Sequence, residues 1–371
     1  MKQLKNTIKS VKLNSFTRPK PTDLITQANR YITNGTDNSY FYYVEDLYIS
    51  SPTNQAIIDN MTNYILGEGL IDENGNDLSY LLSEEDLRCA IQDFKTYGSC
   101  VFQVIYALGP VKKIAKLIYI PTKSVAIAKQ LDLSKDIEGY YYCFDWRSKS
   151  KYRPYFVPAF GYGENNQTEL LRILRPSGQP LFPLSDWVSA NQWCEVEGEM
   201  SNFCVNHIQK SFSVGKIINI NKGTAGLSDE DLEETKRAIV SELTGSDGER
   251  VVVSFNENKE QETTIQDIQI QDAYQQFEGL SEQAMQKILM AHKITSPSLF
   301  GVDKGSGFSS QADEMAMALK ILYRSQVNPN RKILIKGLED ALKVNGDYKL
   351  KFEDFDELKI DNNTQPTNTQ Q

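Results

Sequence analysis

The sequence predicts an α+β fold in which long helices frame one β-rich segment and one smaller segment of alternating strand and helix. Three observations carry that prediction. Apolar residues recur at helical spacing within residues 185–215, 269–295 and 309–358. Short aromatic or β-branched runs between residues 101 and 174 alternate with clusters of Gly, Pro, Asp or Lys, as strands and turns do. Pro297 and the glycines Gly301, Gly305 and Gly307 interrupt the helical period between two of the long helices, where the backbone must bend.

Residues 1–38 are polar and rich in Lys, Thr and Asn, and Arg18-Pro19-Lys20-Pro21 reads as a flexible, extended arm. A regular core of residues 39–184 follows, ordered from near Tyr40. Ser51-Pro52 opens a helix in which Ile57, Ile58, Met61 and Ile65 recur on one face, and Gly67 and Gly69 stop it. Ser83 is the N-cap of a second helix reaching about Thr96, with Glu84, Glu85 and Asp86 against the positive end of its dipole. The period then falls to two. Residues 101–106, 113–120, 140–146, 152–157 and 169–174 read as strands, and 139–156 as a hairpin closed near Arg147-Ser148-Lys149-Ser150.

Residues 185–215 form a long helix opened by Ser185-Asp186-Trp187, with Met200, Phe203, Cys204, His207, Ile208 and Phe212 on one face. In residues 216–268 a strand at 216–221 and a turn at Gly223-Thr224-Ala225-Gly226 precede a helix capped by Ser228. Leu232, Thr235, Ile239, Val240 and Leu243 line its inner face; Gly245-Ser246-Asp247-Gly248 breaks it before a strand at 251–255. Residues 269–295 are a second long helix, running to Ile294, with Phe277, Leu280, Ala284, Ile288 and Ala291 in period. After the loop of residues 296–308, a helix capped by Ser309 or Ser310 carries Asp313 and Glu314 in its first turn and Ala312, Met315, Ala316, Leu319 and Leu322 on one face. Pro329 kinks this helix, and Ile333, Gly337, Leu338, Ala341 and Leu342 continue an apolar stripe. A strand at 348–352 ends the segment 309–358, and the Asn, Thr and Gln of residues 359–371 predict a disordered tail.

Composition narrows the function classes. A length of 371 residues with 40% hydrophobic and 24% charged side chains suits a globular protein of about two domains. No run approaches the roughly 18 apolar residues of a membrane span, and the basic start lacks the apolar stretch of a signal peptide, so no membrane is expected. Five scattered cysteines predict buried, reduced thiols. Zinc-type spacing of Cys or His is missing, and Cys204 with His207 is better explained by helix packing than by a nucleophilic pair. The Gly223-Thr224-Ala225-Gly226 turn lacks the Gly-Lys-Ser/Thr ending of a phosphate loop. Acidic runs at 84–86 and 229–231 sit in first helical turns, where the dipole accounts for them. Trp187, Trp193 and Phe203 read as packing residues, since Glu195, Glu197 and Glu199 beside them repel phosphates. No catalytic residue, metal ligand or cofactor is assigned.

The order of helix, small-residue loop and long kinked helix resembles the carboxy-terminal half of tailed-bacteriophage portal proteins. Met290 through Val302 is similar to a portal pattern in which a helix ends at a Pro-Leu-Gly-like turn. Tyr97-Gly98-Ser99 with the strand after it resembles a wing strand, and Ile65-Leu66-Gly67-Glu68-Gly69-Leu70 resembles the end of the family's amino-terminal helix. The resemblance spans roughly residues 40 to 355 and rests on the order and spacing of elements. It implies a wing at 39–184, a stem helix at 185–215, a clip at 216–268, a second stem helix at 269–295, a tunnel loop at 296–308, and a long wing and crown helix with its final strand at 309–358. It further implies a non-enzymatic homo-oligomeric ring of twelve subunits at a capsid vertex, through which double-stranded DNA passes. The implied partners are the large terminase subunit, the major capsid protein and scaffold, and a head-tail adaptor. Ser298, Asp303, Lys304, Gly305, Ser306, Gly307 and Phe308 would then face the DNA. Gly223, Thr224, Asp229, Glu230, Glu234 and Asp247 would belong to the docking face of the clip.

The formal charge of -9 gives twelve copies 12 × -9 = -108, a wall that grips a sliding polyanion weakly, although the same charge suits any soluble protein. Two other readings stay open: a different connector or baseplate component of a virion, and a metal-dependent hydrolase or nuclease.

Overall fold

The computed structural model describes residues 30–129, 136–164, 167–179, 181–209, 217–221, 252–256, 273–300 and 311–355. The chain forms two compact units, Met1–Cys194 with Lys287–Gln371, and Glu195–Gln286.

In the larger unit three helices follow one another, α1 (Ser39–Ser50), α2 (Pro52–Leu66) and α3 (Glu84–Tyr97). The sequence expected order from Tyr40 without specifying a helix there. Tyr40, Phe41, Tyr42, Tyr43 and Val44 are all buried, so α1 has no polar face along this run from which a period could be read. The α2 start is as expected: the Ser51 hydroxyl accepts the Asn54 N–H at 3.2 Å and Pro52 fills the first turn. Ser83 caps α3 in the same way, accepting the Asp86 N–H at 3.1 Å. Gly98 ends α3 at φ 78, and a Cβ there would lie 2.8 Å from the Leu184 carbonyl oxygen, so two reasons require glycine.

The strands of this unit are β1 (Tyr31–Ile32), β2 (Gly69–Asp72), β3 (Ser99–Tyr106), β4 (Ile114–Ile120), β5 (Val125–Ala128), β6 (Gly139–Tyr142), β7 (Tyr155–Pro158), β8 (Glu169–Leu174) and, late in the chain, a strand at Leu350–Glu353. An antiparallel sheet of order β4-β3-β8 places β3 centrally, with Cys100, Val101, Phe102 and Val104 fully buried. A second antiparallel sheet has the order β1-β5-β6-β7. The expected 139–156 hairpin is the β6–β7 pair, but β6 stops at Tyr142. Trp146 is drawn into a core with Tyr42, Ala126 and Cys143, and the Asp145 carboxylate caps a short turn by accepting the Arg147 N–H. Cys100, Cys143 and Cys194 are buried as expected, whereas Cys204 is exposed, a correction to the reading of all five thiols as core.

Trp187 is core and wholly buried, which also moves a helix start. The helix expected from Ser185 begins only at Asn191, as α4 (Asn191–Gln209), after a tight turn at Val188–Ala190. Phe203, expected on its packed face, is 46% exposed.

The chain enters the smaller unit within α4, at Glu195. Its β9 (Ile217–Asn221) and β10 (Val252–Asn256) pair in parallel, Ile217 opposite Val252. A parallel pair needs a crossover connection rather than a hairpin; the helix expected at 228–243 lies outside the described residues. The chain returns along α5 (Ala273–Ala291). Helix α5 was expected to run to Ile294. It stops at Ala291 because Lys293 adopts φ 60 and two bonds close the end: Ile294 N–H to Leu289 O at 2.9 Å and Lys293 N–H to Met290 O at 3.0 Å.

The last helical stretch is α6 (Gln311–Leu322), one wide π-type turn at Tyr323–Val327, then α7 (Asn328–Leu342). The expected distortion sits one turn ahead of Pro329. Proline has no N–H for the Ser325 carbonyl and its ring crowds that oxygen, so the turn before it widens. Among the described side chains of α6, Ala318 and Leu322 are buried, while Met315, expected inside, is 38% exposed. On α7, Leu338, Ala341 and Leu342 are buried as expected, joined by Leu334. A Cβ on Gly337 would meet the Ile173 side chain at 2.7 Å, so glycine sets how near α7 comes to β8. The final strand, β11 (Leu350–Glu353), begins two residues later than expected and pairs with β2, a partner too short to stand out in the sequence.

Candidate functional site

A buried polar joint in the larger unit holds the chain just past α5, at His292, and the start of α7, at Asn330 and Arg331. Lys95, on the core face of α3, places its ammonium 2.9 and 2.8 Å from the two oxygens of Asp186. Arg175, just past β8, meets the same carboxylate at 2.8 Å and donates a second bond to Asn330 of α7 at 3.0 Å. Asn330 in turn donates to the Gln326 carbonyl inside the wide turn, at 2.9 Å. Burial alone would raise the Asp186 carboxyl, but the charges of Lys95 and Arg175 outweigh it and hold the group well below the carboxylate range. The Trp187 indole N–H donates to the Lys95 carbonyl at 3.1 Å, which ties Asp186 to α3 through backbone as well as charge.

His292, at the end of α5, completes the joint. Its ring stacks on Trp187 with centroids 5.7 Å apart, and Nε2 lies 2.8 Å from Asn54 Oδ1 near the start of α2. Burial, with Lys95 nearby, pushes its pKa well below 6.5, so the ring is neutral, donates from Nε2, and leaves Nδ1 without a hydrogen-bond partner. Asn54 is itself held by the Ser51 cap, so helix start, histidine and ion cluster are one network.

A second clamp joins α2, α7 and β11. Arg331 donates from Nε to Ile65 O at 2.8 Å and from Nη2 to Tyr64 O at 2.9 Å, meeting the unpaired carbonyls of the α2 end, and its remaining nitrogen pairs with Asp354. Its guanidinium also lies between the Tyr323 and Phe352 rings, 5.6 and 5.5 Å from their centroids. Tyr64 reaches onward to the loop: its hydroxyl donates to Leu299 O at 3.1 Å and its ring meets Phe300 edge-on at 6.1 Å.

Of the residues expected at the DNA, Ser298 lies in a tight helical turn, Pro297–Phe300, and is half-buried. Asp303, Lys304, Gly305, Ser306, Gly307 and Phe308 lie outside the described residues, as do the clip residues Gly223, Thr224, Asp229, Glu230, Glu234 and Asp247. The joint itself was not foreseen. Lys95 was visible in principle, four residues after Ile91 on the apolar stripe of α3, but Asp186, Arg175, His292 and Arg331 carry no local pattern.

The Gly161-Tyr162-Gly163 turn is explained by Glu169, whose buried carboxylate accepts both glycine N–H groups at 2.9 Å, Tyr106 at 2.6 Å and Lys112 at 2.8 Å. Among the described residues no group of His, Cys, Asp or Glu is arranged to hold a metal ion.

This architecture is one that virion proteins use. The chain matches a chain in the virion of a native gene transfer agent particle at TM-score 0.55 and 14% identity, covering 84% of this chain and 83% of that one. It matches a chain in the neck of the native particle, computed with C12 symmetry, at TM-score 0.55 and 16% identity over 84% and 83%. An HK97-family phage portal protein from Corynebacterium diphtheriae matches at TM-score 0.49 and 10% identity over 83% and 94%. No family model and no curated protein matches the sequence. At the level of fold, the α+β class and the resemblance to portal proteins are both borne out.

Proposed function

We propose that the chain is a portal subunit: many copies stand around an axis, form a channel at one vertex of a capsid, and let double-stranded DNA in and out. The observation that carries the reading is the chain order: helix α4, a small parallel strand pair, helix α5 and then a long helix, widened at Tyr323–Val327, that Arg175 and Arg331 hold where α7 begins. Shared fold with a chain of a neck computed with C12 symmetry supports a ring of twelve. Apolar side chains left in water support contacts between copies: on α6, Met317 is 61% and Ile321 43% exposed, one turn apart.

In this reading the joint is structural. It fixes the chain just past α5 and the start of α7, and residues 296–308 between them are presented toward the axis, with Lys304 the one loop cation able to meet phosphate beside Asp303. The strand pair and residues 216–268 are the clip, docking terminase during filling and a head-tail adaptor afterwards, while the wing meets capsid protein and scaffold. The protein performs no chemistry; force comes from its motor partner. The direct test is an infection assay with Lys304→Ala combined with deletion of Gly305 to Gly307. Packaging of full-length genomes should fall, and unchanged packaging would refute the placement of this loop at the DNA.

A further inference from the structure

The larger unit carries an acidic groove, and the sequence contains a segment that complements it. The groove, about 610 Å³, lies between β2 and residues 75–87. Leu70, Leu78, Leu82 and Leu87 supply its apolar lining. Glu68, Asp72, Asp77 and Glu84 supply carboxylates, with no Lys or Arg among the lining residues. Among the described residues neither Asp77 nor Glu84 forms an ion pair with a cation.

Residues 1–29 contain six cations, Lys2, Lys5, Lys9, Lys12, Arg18 and Lys20, against one anion, Asp23. Their formal charge is +5, and since the whole chain carries -9, residues 30–371 carry -14. The first twelve residues are also patterned. Met1, Leu4, Ile8 and Val11 recur at spacings of three and four, and Lys2, Lys5, Lys9 and Lys12 repeat the same spacing one residue later. Wound as a helix, that sequence has an apolar stripe and an adjoining basic stripe, the two features an acidic groove with a leucine lining would select.

We infer that residues 1–16 dock in this groove, apolar stripe on the leucines and lysines against Asp77 and Glu84. Residues 17–29 link that segment to Arg30 and extend at most about 45 Å, and the test below distinguishes a segment of the same chain from one of an adjacent copy. The alternative use of a basic segment is duplex DNA, where counterion release favours it. The groove decides between them, because it offers apolar contacts to Leu4, Ile8 and Val11 that a phosphate backbone does not. This inference goes beyond the portal reading and does not depend on a channel.

The test uses the full-length protein with a photo-crosslinking amino acid at Ser79, which lines the groove. Irradiation followed by peptide mapping should find the crosslink within residues 1–16. Changing Lys5, Lys9 and Lys12 to Glu should reduce its yield about tenfold, and adding Asp77→Lys with Glu84→Lys should restore it. Mixing isotopically heavy and light protein identifies the donor: heavy-light pairs mean an adjacent copy, like pairs alone mean the same chain, and either supports docking. Crosslinks confined to other segments, or a yield indifferent to reversal and rescue, would overturn the inference. So would transfer of the segment from the groove to added duplex DNA.

Discussion

Replacing Asp186 by Asn tests whether the buried joint stabilises the larger unit. The carboxylate has three close charged contacts, two from Lys95 at 2.9 and 2.8 Å and one from Arg175 at 2.8 Å. The Lys95 and Asp186 side chains are 1% and 5% exposed, so solvent screens them little. Removing one partner of such a cluster leaves two cations facing each other in a poorly hydrated interior, which costs about 3–5 kcal/mol. The loss should appear in urea unfolding followed by tryptophan fluorescence, since Trp187 is bonded to Lys95 and stacked on His292. Lys95→Met with Asp186→Leu should be more stable than Asp186→Asn alone, because it removes the stranded charge along with its partner, while Arg175 keeps Asn330. A loss under about 1 kcal/mol for Asp186→Asn, or no recovery in the double variant, would refute the reasoning. Because the Asp186 pKa is lowered on folding, its contribution is present above the ordinary carboxylate range and disappears as pH falls below it.

Asp93 should have the opposite pH signature. Burial raises it to about 6 against a bond from the Thr122 N–H at 2.7 Å, so the folded chain holds this proton more tightly than the unfolded one and loses stability as pH rises from about 4 to 6. Asp93→Asn should therefore be more stable than the parent at pH 7.5 by up to about 3 kcal/mol, with the gap closing toward pH 4 in parallel melts; a gap that does not change with pH would contradict this. Gly67→Ala should cost at least about 3 kcal/mol in urea unfolding. Its φ of 60 with ψ of -137 disfavours a side chain, and a Cβ would sit 1.9 Å from Glu353 O, prising β11 from β2; a cost under about 1 kcal/mol would show that the strand yields freely.

What the sequence made legible follows from physics that acts over short range. Ser51 and Ser83 cap helices through bonds to residues three positions on, so their role can be read locally, and β3, β4, β6, β7 and β8 announce themselves by alternation and turn residues. Helix α1 was missed because burial around its aromatic run erases the period, and β1, β2 and β5 because strands of two to four residues carry too little pattern. The joint was missed for a different reason. Asp186 and Lys95 are 91 residues apart, and His292 and Asn54 are 238 apart, so only the folded chain brings them together. Pro329 signalled a distortion, yet the strain is relieved in the turn before it, which the residue alone does not specify.

The central claim is that copies of this chain surround a channel. Electron micrographs of the purified full-length protein test it most directly, and the account predicts rings with a central hole wide enough for duplex DNA. Single particles of one chain under every assembly condition, with no ring at any concentration, would contradict it.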